Sequence, residues 1–264
     1  MEFNLLGRFE MVADDGRSYL LTRSKISQLL GVLLAHNGET VSTGTLIAEI
    51  WGEKVPRSAL TTLQTYVYHA RKMFTSMGID SNLLITRPCG YTIQAAPDAI
   101  DLNRFELHVQ QARKALEDAR PDRALEFVEQ AFRLWRGPML AGMMTGAVLD
   151  AAITYLDELR FSATELHIEA GQRLGRHQEL VPQLRMLVAQ NPLNESLHAQ
   201  LIKALHKCGR RAEALQSYRR LWQVLDTELG VEPAPELQRL QHELLDLGAA
   251  RRGARRGGTP VSPQ

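Results

Sequence analysis

The chain has 264 residues, 44% hydrophobic and 23% charged, with 31 Lys+Arg against 30 Asp+Glu, a globular balance that excludes wholesale disorder. The length suggests two domains, and no run approaches the about 18 apolar residues of a membrane span. Met1–Glu2–Phe3–Asn4 lacks the basic start of a secretion signal, and Cys89 and Cys208 supply neither a disulfide framework nor a metal set; the expectation is a soluble cytoplasmic protein with no cofactor and no membrane partner.

The opening reads as strands. Residues 3–12 alternate loosely, Asp14–Asp15–Gly16 makes a turn, and Ser18–Leu21 resumes. From Lys25 the period changes: Ile26, Leu29, Leu30, Leu33 and Leu34 form the stripe of an amphipathic helix, which Asn37–Gly38 ends. A second helix starts at Ser42 as N-cap and runs to Trp51–Gly52. Glu53–Lys54–Val55–Pro56 is a loop, because proline lacks a donor and pushes the preceding residue out of the helical region. Ser58 is positioned to cap a third helix with Leu60, Leu63, Val67, Ala70 and Phe74 on its core face. Leu83–Thr86, a turn at Arg87–Gly90 and Tyr91–Ile93 make a β-hairpin. A helix pair followed by a hairpin is a winged helix-turn-helix.

Beyond Pro97 only helical stripes occur. They begin with Leu102–Phe105–Leu107–Val109–Ala112–Leu116, then Ala124–Leu125–Val128–Ala131–Phe132–Trp135. A loop containing Gly137, Pro138, Gly142 and Gly146 precedes a long helix from Leu149 to Leu174, and four shorter stripes end at Leu247. Gly175 and Gly209 lie 34 residues apart, the tetratricopeptide period, with Ala214 and Tyr218 where that repeat takes a small residue and an aromatic. The expected domains are therefore 1–95, a winged helix, and 96–247, a helical-repeat domain whose stacked pairs leave a concave face. The Gly/Arg-rich tail 248–264 is expected to be disordered. Charge follows the same division. Residues 1–95 carry nine bases and eight acids, 96–247 carry 18 and 22, and 248–264 carry four arginines and no acid.

The helix beginning at Ser58 carries the chemistry. Opposite its core stripe stand Thr61, Thr62, Gln64, Thr65, Tyr68, His69, Arg71 and Lys72. Thr61, Thr65, Tyr68 and Lys72 share one face that can enter a major groove, where glutamine pairs with adenine and a threonine methyl meets a thymine methyl. Arg71, Lys72 and Arg87, with Thr86 beside it in the hairpin, suit phosphates, which fix register without reading sequence. Ser42 and Ser58 start helices whose N-terminal amides can also meet phosphate. The same residue types make an ordinary solvated helix face; the hairpin following at the right distance favours DNA. Tyr66 reads as packing. The eight histidines stand singly, and no P-loop, G-x-G-x-x-G or G-x-S-x-G occurs, so neither a metal site nor an enzyme is expected.

The run Ser58–Ala59–Leu60–Thr61–Thr62–Leu63–Gln64–Thr65–Tyr66–Val67 and the segment Ile85–Thr86–Arg87–Pro88–Cys89–Gly90–Tyr91 resemble the Streptomyces antibiotic regulatory protein family. Trp135–Arg136–Gly137–Pro138, Leu174–Gly175–Arg176–His177, Asn191–Pro192–Leu193 and Glu228–Leu229–Gly230–Val231–Glu232–Pro233 resemble its bacterial transcriptional activation domain. The resemblance covers residues 1–247. It implies a mainly α protein with a small β part: an OmpR-type winged helix-turn-helix, then an all-α tetratricopeptide-like domain. It further implies a small stand-alone activator of an antibiotic biosynthetic cluster, near the nucleoid, binding direct repeats close to the −35 element as side-by-side protomers. RNA polymerase, including sigma factor, is the implied second partner, through the loop holding Glu53, Lys54 and Arg57. A repressor of the same fold, or a helical scaffold whose winged helix binds no DNA, are the alternatives.

Overall fold

A computed structural model describes the backbone of residues 1–256 and the side chains of residues 1–245. The chain divides into two compact units, Met1–Ala170 and Gly171 onward.

The first unit opens with a three-stranded antiparallel sheet in the order β1 (Glu2–Asn4), β2 (Glu10–Val12), β3 (Ser18–Leu20). The expected first strand over 3–12 is two strands. Its middle, Leu5–Phe9, leaves the sheet, and its backbone meets other partners described below. Helix α1 (Lys25–Ala35) follows, capped by the Ser24 hydroxyl accepting from the Ser27 amide at 3.1 Å, with Leu29, Leu30, Leu33 and Leu34 buried. A short strand β4 (Val41–Ser42) leads into α2 (Thr43–Trp51), then α3 (Ala59–Ser76), and a hairpin of β5 (Leu84–Arg87) and β6 (Gly90–Ile93). The second sheet has the order β4-β6-β5. β4 lies so close that a Cβ on Gly90 would sit 2.0 Å from the Val41 carbonyl oxygen, so only glycine fits there.

Helices α4 (Asp101–Glu117) and α5 (Pro121–Arg133) form an antiparallel pair, and α6 (Ala147–Arg173) crosses from the first unit into the second. Leu102, Phe105, Val109, Ala112 and Leu116 are buried as their spacing predicts. Leu107, expected on that stripe, is 52% exposed, because it falls two residues after Phe105 and points off the helix's apolar face. Trp135 lies beyond the end of α5, edge-on to Phe105 with ring centroids 5.4 Å apart.

The core of this unit is continuous from Phe3 to Ala170. The expected boundary at 95/96 marks the end of the strands and does not interrupt the packing. Phe3 bridges Ile100, and the buried Asp101 carboxylate accepts from the Leu5 and Leu6 amides at 2.7 and 2.9 Å. Burial pushes the Asp101 carboxyl up, opposed by those amides and by Arg136. Arg136 donates to it at 2.5 Å and its own amide donates to the Leu6 carbonyl at 2.8 Å. Glu49 of α2, 4% exposed, accepts from the Gly146 and Val148 amides, both at 2.8 Å, at the start of α6. A carboxylate is well placed there, since helix N-terminal amides lack intrahelical acceptors.

The second unit contains α7 (His177–Gln190), α8 (Glu195–Lys207), α9 (Arg211–Leu229) and α10 (Pro235–Arg256), with α7 packed on α8 and α8 on α9. Gly175 and Gly209 both take φ +75° at the turns into α7 and α9, so the 34-residue spacing marks equivalent corners of two helical pairs. The expected tail begins inside α10, which continues to Arg256; alanine and arginine are good helix formers. Residues 257–264 lie outside the described residues.

Candidate nucleic-acid interface

Helix α3 is built to lie on α1 and α2 with one side and face solvent with the other. Its buried positions are Ala59, Leu63, Val67, Ala70 and Phe74. Leu60, expected in that stripe, is 53% exposed, because Ala59 takes the first core position and Leu60 sits a hundred degrees further round. Ser58 makes no side-chain cap: its φ and ψ of −90° and 14° are not those of an N-cap, and its hydroxyl instead accepts from Thr62 at 3.5 Å. Ser42 does cap α2, accepting from the Thr45 amide at 3.0 Å. Tyr66 packs as expected, stacked on Trp51 with centroids 5.8 Å apart, and Lys25 lies 4.8 Å over the same indole.

The outward face gathers Thr61, Gln64, Thr65, Tyr68, His69 and Lys72, all exposed, with Thr62 half-buried at its margin. From Thr61 to Lys72 the helix advances about 16 Å, the length of about five base-pair steps. The Thr65 hydroxyl donates to the Thr61 carbonyl at 3.0 Å, which directs its oxygen toward the backbone and leaves the methyl as the contact group. Tyr68 and His69 meet edge-on at 5.4 Å.

Beside this face stands the hairpin, with Thr86, Arg87, Pro88 and Cys89 exposed. The Thr43 amide donates to the Cys89 carbonyl at 2.9 Å, tying the turn to the start of α2. Arg71, expected on phosphate, is committed elsewhere. Its Nε and Nη2 donate to the Leu84 carbonyl at 3.0 and 2.7 Å, and Nη2 also donates to the Thr86 hydroxyl at 2.9 Å. It therefore braces β5 against α3, and Thr86 is its partner. The sequence carried a signal for this: Arg71 follows the buried Ala70 and stands at the edge of the core stripe, facing the next element along the chain.

Arg57, Lys72 and Arg87 form no ion pair among the described residues, whereas Arg123, Arg136, Arg185 and Arg210 each hold a carboxylate. Unpaired cations flanking a polar helix suit a polyanion. Glu53, Lys54 and Arg57 are exposed on the loop between α2 and α3. Among the described residues no group of three His, Cys, Asp or Glu is placed to hold a metal ion, and no helix is long and apolar enough to cross a membrane.

Comparison with known proteins agrees with this arrangement. Residues 16–93 match the family described as transcriptional regulatory protein, C terminal, and residues 100–245 match the bacterial transcriptional activator domain. Regulatory protein DnrI of Streptomyces peucetius is 36% identical over 96% of this chain and 96% of its own length. Transcriptional regulator RedD of Streptomyces coelicolor is 34% identical over 93% of this chain and 70% of its own. The solved structure of Mycobacterium tuberculosis EmbR in complex with a low-affinity phosphopeptide superposes with a TM-score of 0.84 at 29% identity, covering 93% of this chain and 65% of that one.

Proposed function

Since the chain belongs to the Streptomyces antibiotic regulatory protein family of transcriptional activators, and is a regulator and not an enzyme, we propose that it activates a secondary-metabolite gene cluster by binding direct repeats near the −35 element. The observation that carries this reading is the exposed polar face of α3 flanked by the unpaired Lys72 and Arg87.

In this account α3 lies in the major groove. Gln64 hydrogen-bonds a base edge, Thr65 offers its methyl and Thr61 its methyl and hydroxyl to neighbouring bases. Lys72 and Arg87 neutralise phosphates on either side and set the register. Arg71 holds the hairpin at the angle from which Arg87 reaches the backbone. Two protomers sit side by side on successive repeats, and the loop with Glu53, Lys54 and Arg57 faces RNA polymerase and its sigma factor.

Fluorescence anisotropy of labelled promoter DNA against salt tests the assignment. Lys72→Ala and Arg87→Ala are expected to weaken binding to all sequences and to lower the salt slope by about one unit each. Gln64→Ala and Thr61→Ala are expected to cost about 1–3 kcal/mol on the preferred site and little on other DNA. All four behaving like the parent protein would remove α3 from the interface and favour a scaffold that binds only protein. A site overlapping the polymerase's own, with transcription falling on binding, would make the protein a repressor.

A further inference from the structure

The second unit holds a cavity of about 360 Å³ between α7, α8 and α9, within the range of small-molecule sites of about 300–1,000 Å³. Its two walls differ. One is apolar, made by Val188 and Ala189 of α7 and Leu201 of α8. The other is one face of α9, where Glu213, Gln216, Ser217 and Arg220 follow at helical spacing.

An acidic partner stands at one end of that face only. Glu213 accepts from Arg185 and from Arg210, the latter at 2.7 and 2.8 Å. One to two turns on, the side chains of Gln216, Ser217 and Arg220 have no hydrogen-bond or ion-pair partner among the described residues, so no carboxylate offsets Arg220. His198 lines the same cavity and is 2% exposed. Its Nε2 faces the Pro192 carbonyl at 3.1 Å, and its Nδ1 has no partner. Burial holds this imidazole below its ordinary range, with the Pro192 carbonyl and Glu195 opposing and Arg220 assisting. A neutral ring donating through Nε2 leaves Nδ1 with a lone pair.

We propose that this cavity is a binding site for a compact monocarboxylate with an apolar body, its carboxylate on the Arg220 guanidinium and its body against Val188, Ala189 and Leu201. A guanidinium matches a carboxylate as a two-pronged donor. Of the two arginines lining the cavity, Arg185 is held by Glu213 and Arg220 by no carboxylate among the described residues, so the site offers one free guanidinium to one carboxylate. The volume is that of a small-molecule site. The site stands whether or not α3 reads DNA.

The test uses the full chain, 1-naphthaleneacetate and its uncharged amide, with calorimetry for affinity and the His198 ring resonances for location. The acid is expected to saturate, to shift those resonances, and to raise the His198 titration midpoint by offsetting the field of Arg220. Arg185, Arg210, Glu213 and Glu195 are the other charged groups near that ring; the first three are paired with one another, and the Glu195 carboxylate accepts from the Ala234 amide at 2.6 Å. Arg220→Gln, at an exposed position, is expected to weaken the acid by about tenfold or more and to leave the weaker amide unchanged. Val188→Trp, which fills the apolar wall, is expected to weaken both. Failure of the acid to saturate, equal binding of acid and amide, or an Arg220→Gln variant that binds the acid normally would each overturn the proposal.

Discussion

Replacing Arg71 by alanine separates two roles that one residue type can play on a DNA-binding helix. The side chain makes three contacts with β5: two to the Leu84 carbonyl and one to the Thr86 hydroxyl, all between 2.7 and 3.0 Å. Hydrogen bonds from a charged donor stabilise by about 1.5–3 kcal/mol when shielded. Arg71 is half-buried, so solvent screening brings the loss to about 1–2 kcal/mol. The loss falls on the contact between hairpin and α3, not on the core beneath. Hydrogen exchange should therefore quicken by about 5–30-fold at the β5 and β6 amides while α1 stays protected. Affinity for DNA should drop on every sequence, because the hairpin no longer holds Arg87 at a fixed angle. The salt slope should change by less than one unit, since the Arg71 charge was not spent on phosphate. Unchanged exchange in the hairpin together with a slope lowered by a full unit would return Arg71 to the phosphate contacts.

Three further outcomes follow from particular contacts. Gly90→Ala places a methyl 2.0 Å from the Val41 carbonyl oxygen and 2.8 Å from its carbon; the cost is expected to be about 2 kcal/mol or more by denaturant titration, and wild-type stability would contradict the close pairing of β4 with β6. Glu49→Ala removes the acceptor from two amides at the start of α6, at an expected cost of about 3 kcal/mol, with Glu49→Gln losing about half as much; equal stability of all three proteins would show that those amides are otherwise satisfied. The Glu213 carboxyl is held down to about 2 by hydrogen bonds from Arg210 and Arg185, against its ordinary 4.5. Because the folded value is the lower one, the stability it adds is present above the ordinary range and lost as pH falls from about 4.5 toward 2. A side-chain titration by NMR with an ordinary midpoint would contradict the pairing.

Periodicity located the helices of the winged part because each buries one stripe, as with Leu29, Leu30, Leu33 and Leu34 in α1. It misplaced Leu60, one step off its stripe, and Leu107, on the far side of its helix from the stripe, where side-chain type and helical phase disagree. The break between β1 and β2 was hidden because Leu5 and Leu6 keep the apolar character of a strand while their amides turn to Asp101. That partner lies about 95 residues away, beyond the reach of any local pattern. Most of the polar face of α3 was legible, since residues pointing away from a core stripe must face solvent. What Arg71 does there was not, because the same side chain serves phosphate or a protein carbonyl and only the position of β5 decides between them. The glycine corners at 175 and 209 were readable as a repeat, whereas the unpaired Arg220 and the orphaned Nδ1 of His198 depend on which neighbours the fold brings near.

Whether α3 reads bases is decided by selecting bound sequences from random duplex DNA with the purified chain, followed by nuclease protection on the winning sequence. A short repeated motif in direct orientation is expected, protected as two adjacent footprints, with the motif degraded at single positions when Gln64 or Thr61 is replaced by alanine. Recovery of sequences no different from the starting pool, or a motif left intact by both substitutions, would contradict the claim that α3 reads bases.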